Sequence, residues 1–136
     1  MHPEPEQLAG APLFASLNAE QLASIARLMD LVTQPAGATL VGEGAPGFSL
    51  FVLLDGTADV TSEDLPLRTL RAGDFFGEIA LLGDARRSAT VTATAPVNLA
   101  VMYGSDFRVF ERDFPDAARQ MKEVTAQRLE RSGSPE

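Results

Sequence analysis

Between Ala38 and Tyr103 the chain is broken every few residues by a glycine- or proline-bearing turn, and that rhythm limits the fold more than any other feature. The apolar runs are Ala38–Val41, Phe48–Leu54, Thr57–Thr61, Leu67–Leu70, Ser88–Ala95 and Val97–Tyr103. The breakers are Gly42-Glu43-Gly44-Ala45-Pro46-Gly47, Asp55-Gly56, Arg71-Ala72-Gly73-Asp74 and Ala95-Pro96. Short strands at such spacing predict an antiparallel sandwich or roll. Asp55-Gly56 between two runs is a hairpin signal, because a tight primed turn needs residues that accept positive φ. Glu63-Asp64 reads as another hairpin tip. In Ser88–Ala95, Ala89, Val91 and Ala93 alternate with Thr90, Thr92 and Thr94, the pattern of a half-buried strand.

Helical periodicity lies on either side. Asn18 and Gln21 have capping-box spacing, and Leu22, Ile25, Ala26 and Met29 follow at i, i+3, i+4 and i+7, which predicts about three helical turns. Gln34-Pro35-Ala36-Gly37 closes that segment. Ser105 is the expected cap of a short helix carrying Phe107 and Phe110. Asp113-Phe114-Pro115-Asp116 opens another, with Asp113 as N-cap, proline in the first turn and an acid near the positive end of the dipole. Ala117, Met121, Val124 and Arg128 share one stripe of it, with Leu129 at the edge. Residues 1–11 show no period and read as a flexible lead-in, and residues 132–136 as a flexible tail, leaving 12–131 as the folded unit. The expected class is mainly β with flanking helices.

Composition removes most chemistries. A chain of 136 residues makes about one domain, large enough to bury a real core. It has no cysteine, and its one histidine is His2 in a Pro-Glu tail, so disulfides, thiol nucleophiles, Cys- or His-ligated metals and Ser-His-Asp catalysis lack material. The formal net charge of −8 disfavours a broad nucleic-acid interface but not a local anion pocket. The region has no transmembrane-length run, and a cytoplasmic setting is expected. Asp106, Glu111, Asp113, Asp116 and Glu123 resemble a metal cluster only by count. Helical spacing spreads them around a solvated face.

One stretch departs from the strand rhythm: Phe75-Phe76-Gly77-Glu78-Ile79-Ala80-Leu81-Leu82-Gly83-Asp84-Ala85-Arg86-Arg87-Ser88-Ala89-Thr90-Val91. Gly77 permits a close backbone approach, and Glu78 to Leu82 can form about one helical turn with free N–H groups at its start. Two arginines follow at the mouth of a strand. N–H groups at a helix start beside an arginine attract an anion, and Glu78 can accept hydrogen bonds from a hydroxyl. An anion and a hydroxyl in one small ligand describe a sugar phosphate. Taken singly, Arg86-Arg87 is an ordinary solvated pair and Glu78 an ordinary helix-start acid. Phe75 and Phe76 read as core anchors at the entry.

Gly-Glu-Ile-Ala-Leu-Leu, then Arg87-Ser88-Ala89-Thr90-Val91 after a fixed interval, resembles the phosphate-binding cassette of cyclic-nucleotide-binding domains. Such domains occur in catabolite activator proteins, kinase regulatory subunits and bacterial cyclic-nucleotide-gated channels. The resemblance runs from about Leu13 to Arg131 and includes Pro35–Gly37, the Glu43-Gly44 turn and Asp55-Gly56, while Ala45 and Phe48 replace the usual acids. Phe-Phe-Gly-Glu and Arg-Ser-Ala-Thr-Val look most like the channel type. The resemblance implies an antiparallel double-sheet, jelly-roll-like β-roll with an N-terminal helix, a short cassette helix and C-terminal helices.

It also implies a non-enzymatic sensor with no cofactor, whose ligand is cAMP, with cGMP as second choice because Ser88 stands where cGMP-selective members often carry threonine. Glu78 would hold the ribose 2′-hydroxyl, and Arg87, favoured over Arg86 by spacing, an exocyclic phosphate oxygen. Gly77, Ile79, Ala80, Ser88 and Ala89 would complete the shell, and Val124, Arg128 and Leu129 are the candidate lid residues over the base. The effector would lie outside this chain, since no output domain fits within it. A homodimer is one candidate assembly. The alternative function is a non-binding roll that acts through dimerisation or docking of its terminal helix. A metal-dependent cupin shares the architecture but needs histidines inside the barrel.

Overall fold

The computed structural model describes residues 1–42, 49–76 and 89–132, with side chains as far as 123 in the last helix. In chain order the elements are α1 (Pro5–Leu8), a 3-10 turn (Pro12–Phe14), α2 (Ala19–Arg27), β1 (Asp30–Gln34), β2 (Thr39–Val41), β3 (Ser49–Asp55), β4 (Thr57–Ser62), β5 (Leu65–Arg71), β6 (Phe75–Phe76), β7 (Thr90–Ala93), β8 (Val97–Tyr103), α3 (Gly104–Asp113) and α4 (Pro115–Ser132). The strands form two four-stranded antiparallel sheets, ordered β1-β8-β3-β6 and β2-β7-β4-β5. This is the mainly β, helix-flanked double-sheet roll that the turn rhythm and the resemblance predict.

The first sheet is a middle layer. One of its faces, carrying Leu50, Val52, Phe75, Ala100 and Met102, packs on Leu8, Leu13, Ile25, Met29, Phe107, Phe110 and Met121 of the helical layer. Its other face, with Leu53, Phe76, Val97, Leu99 and Val101, meets Val41, Ala58, Val60, Leu70, Val91 and Ala93 of the second sheet. β8 is therefore apolar on both faces, whereas the strands of the second sheet alternate.

Several local expectations need revision. Asp55-Gly56 does not close a hairpin within one sheet: β3 and β4 belong to different sheets, and the turn is the corner between them. The backbone demand is the one predicted, since Gly56 has φ +97° and a Cβ there would lie 2.4 Å from the Pro96 carbonyl oxygen. Strand β1 has no counterpart in the periodicity, because Asp30-Leu31-Val32-Thr33 is short and follows the helix at once. Its pairing with β8 is what makes it a strand. Helix α3 starts at Gly104 with Tyr103 as N-cap, so Ser105 lies inside the first turn. Asp113 ends α3, Phe114 is its C-cap and Pro115 opens α4.

Two other local readings, the capping box and the Glu63-Asp64 tip, agree, whereas the reading of residues 1–11 as an unpacked lead-in does not. Asn18 accepts from the Gln21 backbone N–H while Gln21 returns a bond to the Asn18 N–H, the predicted capping box. Glu63 and Asp64 form a two-residue tip at φ 52° and 64°, between the paired residues Ser62 and Leu65. Within residues 1–11, Pro5–Leu8 is a helical turn, Leu8 is fully buried in the helical-layer core, and the Leu31 N–H donates to the Met1 carbonyl at 2.9 Å. Packing thus continues across residue 12. His2 Nδ1 lies 2.7 Å from the Met29 carbonyl oxygen.

Candidate functional site: the crossover between the sheets

The chemistry-bearing segment joins the two sheets. β6 is the edge of the middle sheet, held on β3 through Phe51 opposite Phe76 and Val52 opposite Phe75. Phe75 turns into the helical-layer core and Phe76 into the core between the sheets. The Phe76 ring stacks on that of Phe51 with centroids 4.9 Å apart and planes 4° from parallel. Both phenylalanines are the anchors expected of them. Upstream, the Arg71–Asp74 turn is tied to β3 by Gly73 N–H to Leu53 O and Leu53 N–H to Asp74 O, each 2.8 Å. The chain enters the segment from a rigid footing.

It returns at Ala89, whose side chain is buried between the sheets, and runs into β7, an interior strand of the second sheet paired with β2 on one side and β4 on the other. The segment between these anchors thus starts at the edge of one sheet and ends inside the other. Gly77, Glu78, Ile79, Ala80, Arg87 and Ser88 lie outside the described residues, as do Arg86 and the 43–48 turn with Ala45 and Phe48. Ala89 alone of the proposed contacts is placed, and it is fully buried in the core between the sheets. Val124, Arg128 and Leu129 fall within the span of α4, but their side chains lie outside the described residues.

The base of α4 is firmly held. Ala117, Ala118 and Met121 are buried in the helical-layer core, so this part of the stripe packs rather than covers a ligand. Lys122 pairs with Glu111 of α3 and lies 5.8 Å from the centre of the Phe107 ring. Arg119 reaches Asp116 at 3.3 Å and Glu123 at 3.5 Å, and Arg112 reaches Asp113 at 3.3 Å. Four of the five suspected metal-cluster acids are thus neighbours of cations.

Elsewhere, a cavity of about 590 Å³ opens between the N-terminal segment and the helix-side face of β1 and β8. Among the described residues on its wall, Asp55 is the charged side chain, beside Gln7, Thr33 and Asn98. Arg68, which no motif marks, has its Nε and Nη2 atoms buried, and the strand register alone reveals that it points into the roll.

A helix-flanked double-sheet roll of this kind is the fold of solved relatives of the chain. The cyclic nucleotide-binding domain family matches residues 31–113, more than half of the chain, and the protein belongs to that family. It is 36% identical over 128 residues to a cyclic nucleotide-gated potassium channel of Rhizobium etli, covering 94% of this chain and 35% of the channel. It is 40% identical over 103 residues to a cAMP-dependent protein kinase regulatory subunit of Aspergillus fumigatus, covering 74% of this chain and 25% of that protein. Among solved structures, the catabolite activator protein of Thermus thermophilus superposes with a TM-score of 0.81 at 25% identity, over 90% of this chain and 60% of that one. The chain thus spans about a quarter to a third of the length of these curated relatives. No helix among the described residues is long and apolar enough to cross a membrane.

Proposed function

We propose that the chain is a non-enzymatic cyclic nucleotide sensor that binds cAMP, and cGMP as a second ligand, through residues 77–89. The observation that carries this reading is the double anchoring of that segment, at Phe76 on the edge of one sheet and at Ala89 inside the other. Glu78 accepts from the ribose 2′-hydroxyl. Arg87 donates to an exocyclic phosphate oxygen in a partly dry pocket, where a charge-assisted bond counts for more than in water. Gly77, Ile79, Ala80, Ser88 and Ala89 surround the ribose phosphate. The base lies against the inner wall of the roll.

Helix α4 acts as lid and output, through Val124, Arg128 or Leu129. Ligand favours the state in which the helix closes, and the shift in population is the signal. Its fixed base on α3 supports a hinge close to Phe114. The setting is cytoplasmic, and the effector is another domain or chain, as the channel and kinase-subunit relatives suggest.

The test is calorimetric titration of refolded, nucleotide-free protein with cAMP and cGMP. Saturable binding at one site per chain is expected. Arg87→Ala weakens it by about 2–5 kcal/mol, about 30- to several-thousand-fold, while Arg86→Ala changes little. A folded sample that binds neither nucleotide would point instead to the roll as an interaction module working through its terminal helix.

A further inference from the structure

The helix-side face of the middle sheet is apolar under the helices and polar beyond them. On β8 that face carries Met102, Ala100 and Asn98 at every second position, and the first two lie in the helical-layer core. The change comes at Asn98. Thr33 of β1 stands opposite it on one side and Asp55 of β3 on the other, so the three form a polar row across three strands, about 10 Å long. The Thr33 hydroxyl donates to the Asn98 amide oxygen at 3.0 Å. With that oxygen engaged, Asn98 has two N–H donors to offer, beside the acceptor oxygens of Asp55.

Such a row at the end of a sheet is ordinarily a solvated surface. Here the N-terminal arm closes over it, tied down by the Leu31 N–H to Met1 carbonyl bond and by buried Leu8. The result is the cavity of about 590 Å³, whose wall joins Gln7 of the arm to the polar row and to Leu31 and Leu54. That size, with apolar walls and a few converging polar groups, is the usual make-up of a small-molecule site. A second hollow of about 210 Å³ shares Gln7 and Leu54 with it and continues as far as Gly73, which leaves room for an elongated body. The row lies on the helix-side face, whereas Phe76 and Ala89, the anchors of the crossover segment, are buried between the sheets.

We propose that this cavity binds a small organic ammonium ion with an apolar body, its N–H groups donating to Asp55 and its carbon chain lying on Leu31 and Leu54. Asp55 is the charged side chain of the wall among the described residues. An ionised carboxylate only accepts, so it selects a cation over a neutral or anionic group of the same shape. The Asn98 N–H groups beside it can hold the carboxylate of an α-amino acid whose ammonium sits on Asp55. A plain amine and an amino acid share the ammonium group, and that group is what the site recognises.

The experiment follows the amide NMR signals of the nucleotide-free full chain during titration with hexylammonium, hexanol, hexanoate and norleucine. Hexylammonium should shift the Asn98 side-chain amide and the backbone signals of Leu31, Thr33 and Leu54 saturably. Hexanol and hexanoate should bind at least about 5-fold more weakly. Asp55→Asn should weaken hexylammonium by about 5- to 10-fold, between a surface ion pair and a strong charged hydrogen bond, and leave hexanol unchanged. Asparagine before glycine accepts the same turn as aspartate, so the variant folds, and its melting temperature checks this. Norleucine that binds more tightly than hexylammonium makes the ligand an α-amino acid; weaker binding makes it a plain amine. Equal affinity for hexylammonium and hexanol, no loss on Asp55→Asn, or shifts confined to other residues overturns the assignment. None of these outcomes depends on whether residues 77–89 bind a cyclic nucleotide.

Discussion

The two sheets of the roll differ in what surrounds them. The middle sheet is covered on both faces, by helices and by the second sheet, whereas the second sheet keeps one face in water. In β8, five residues of the run Val97–Tyr103 are buried, and Asn98 and Tyr103 at its two ends are exposed. In the outer sheet the Thr92–Asp59–Thr69 row lies outward, and Thr69 donates to Asp59 at 3.1 Å. Solvent on one side lets a strand keep polar residues at every second place, and a strand without that side has nowhere to put them. The difference teaches what lets the outer sheet alternate: its inner face is buried against the middle sheet, and its outer face is free to carry polar side chains.

The sharpest way to break this contrast is to cut into the middle sheet where the crossover begins. Phe76→Ala removes a fully buried, stacked ring and should cost about 3–5 kcal/mol in denaturant unfolding. Thr92→Ala on the outer face of β7 should stay within about 0.5 kcal/mol. Similar costs for the two would mean that the layers are not distinct.

Next in size is the corner that passes the chain from one sheet to the other. Gly56→Ala combines positive φ with a Cβ 2.4 Å from the Pro96 carbonyl oxygen, and a loss of about 2–3 kcal/mol is expected from thermal or denaturant unfolding. An effect below about 1 kcal/mol would show that the corner yields easily.

The smallest effect tests the helical cover itself. Asn18→Ala removes the side-chain cap of α2 and should cost about 1 kcal/mol, with Asn18→Asp retaining most of it. If Asn18→Ala costs nothing measurable, α2 is held by the packing of Ile25 and Ala26 alone.

What could be read from the residues was whatever is local. The Asn18–Gln21 box, the Glu63-Asp64 tip, the paired phenylalanines and the alternation of Ala89, Val91 and Ala93 each depend on neighbours a few positions away, where chain geometry dictates the outcome. Family membership was legible for a related reason, since the acid, arginine and small residues that carry the resemblance sit at set intervals in one continuous stretch.

Partnership between distant segments was decided by the tertiary structure. Asp55-Gly56 specifies positive φ but not whether the strands it joins pair or part, and here β3 turns to β8 and β6 while β4 turns to β5 and β7. β1 is a strand because β8 offers it an edge. Leu8, in a stretch without period, is buried because the helical layer leaves a place for it. Arg68 faces inward through its register against Val60. Local sequence governs dihedrals and capping over a few residues; which surfaces meet depends on burial summed over the whole chain.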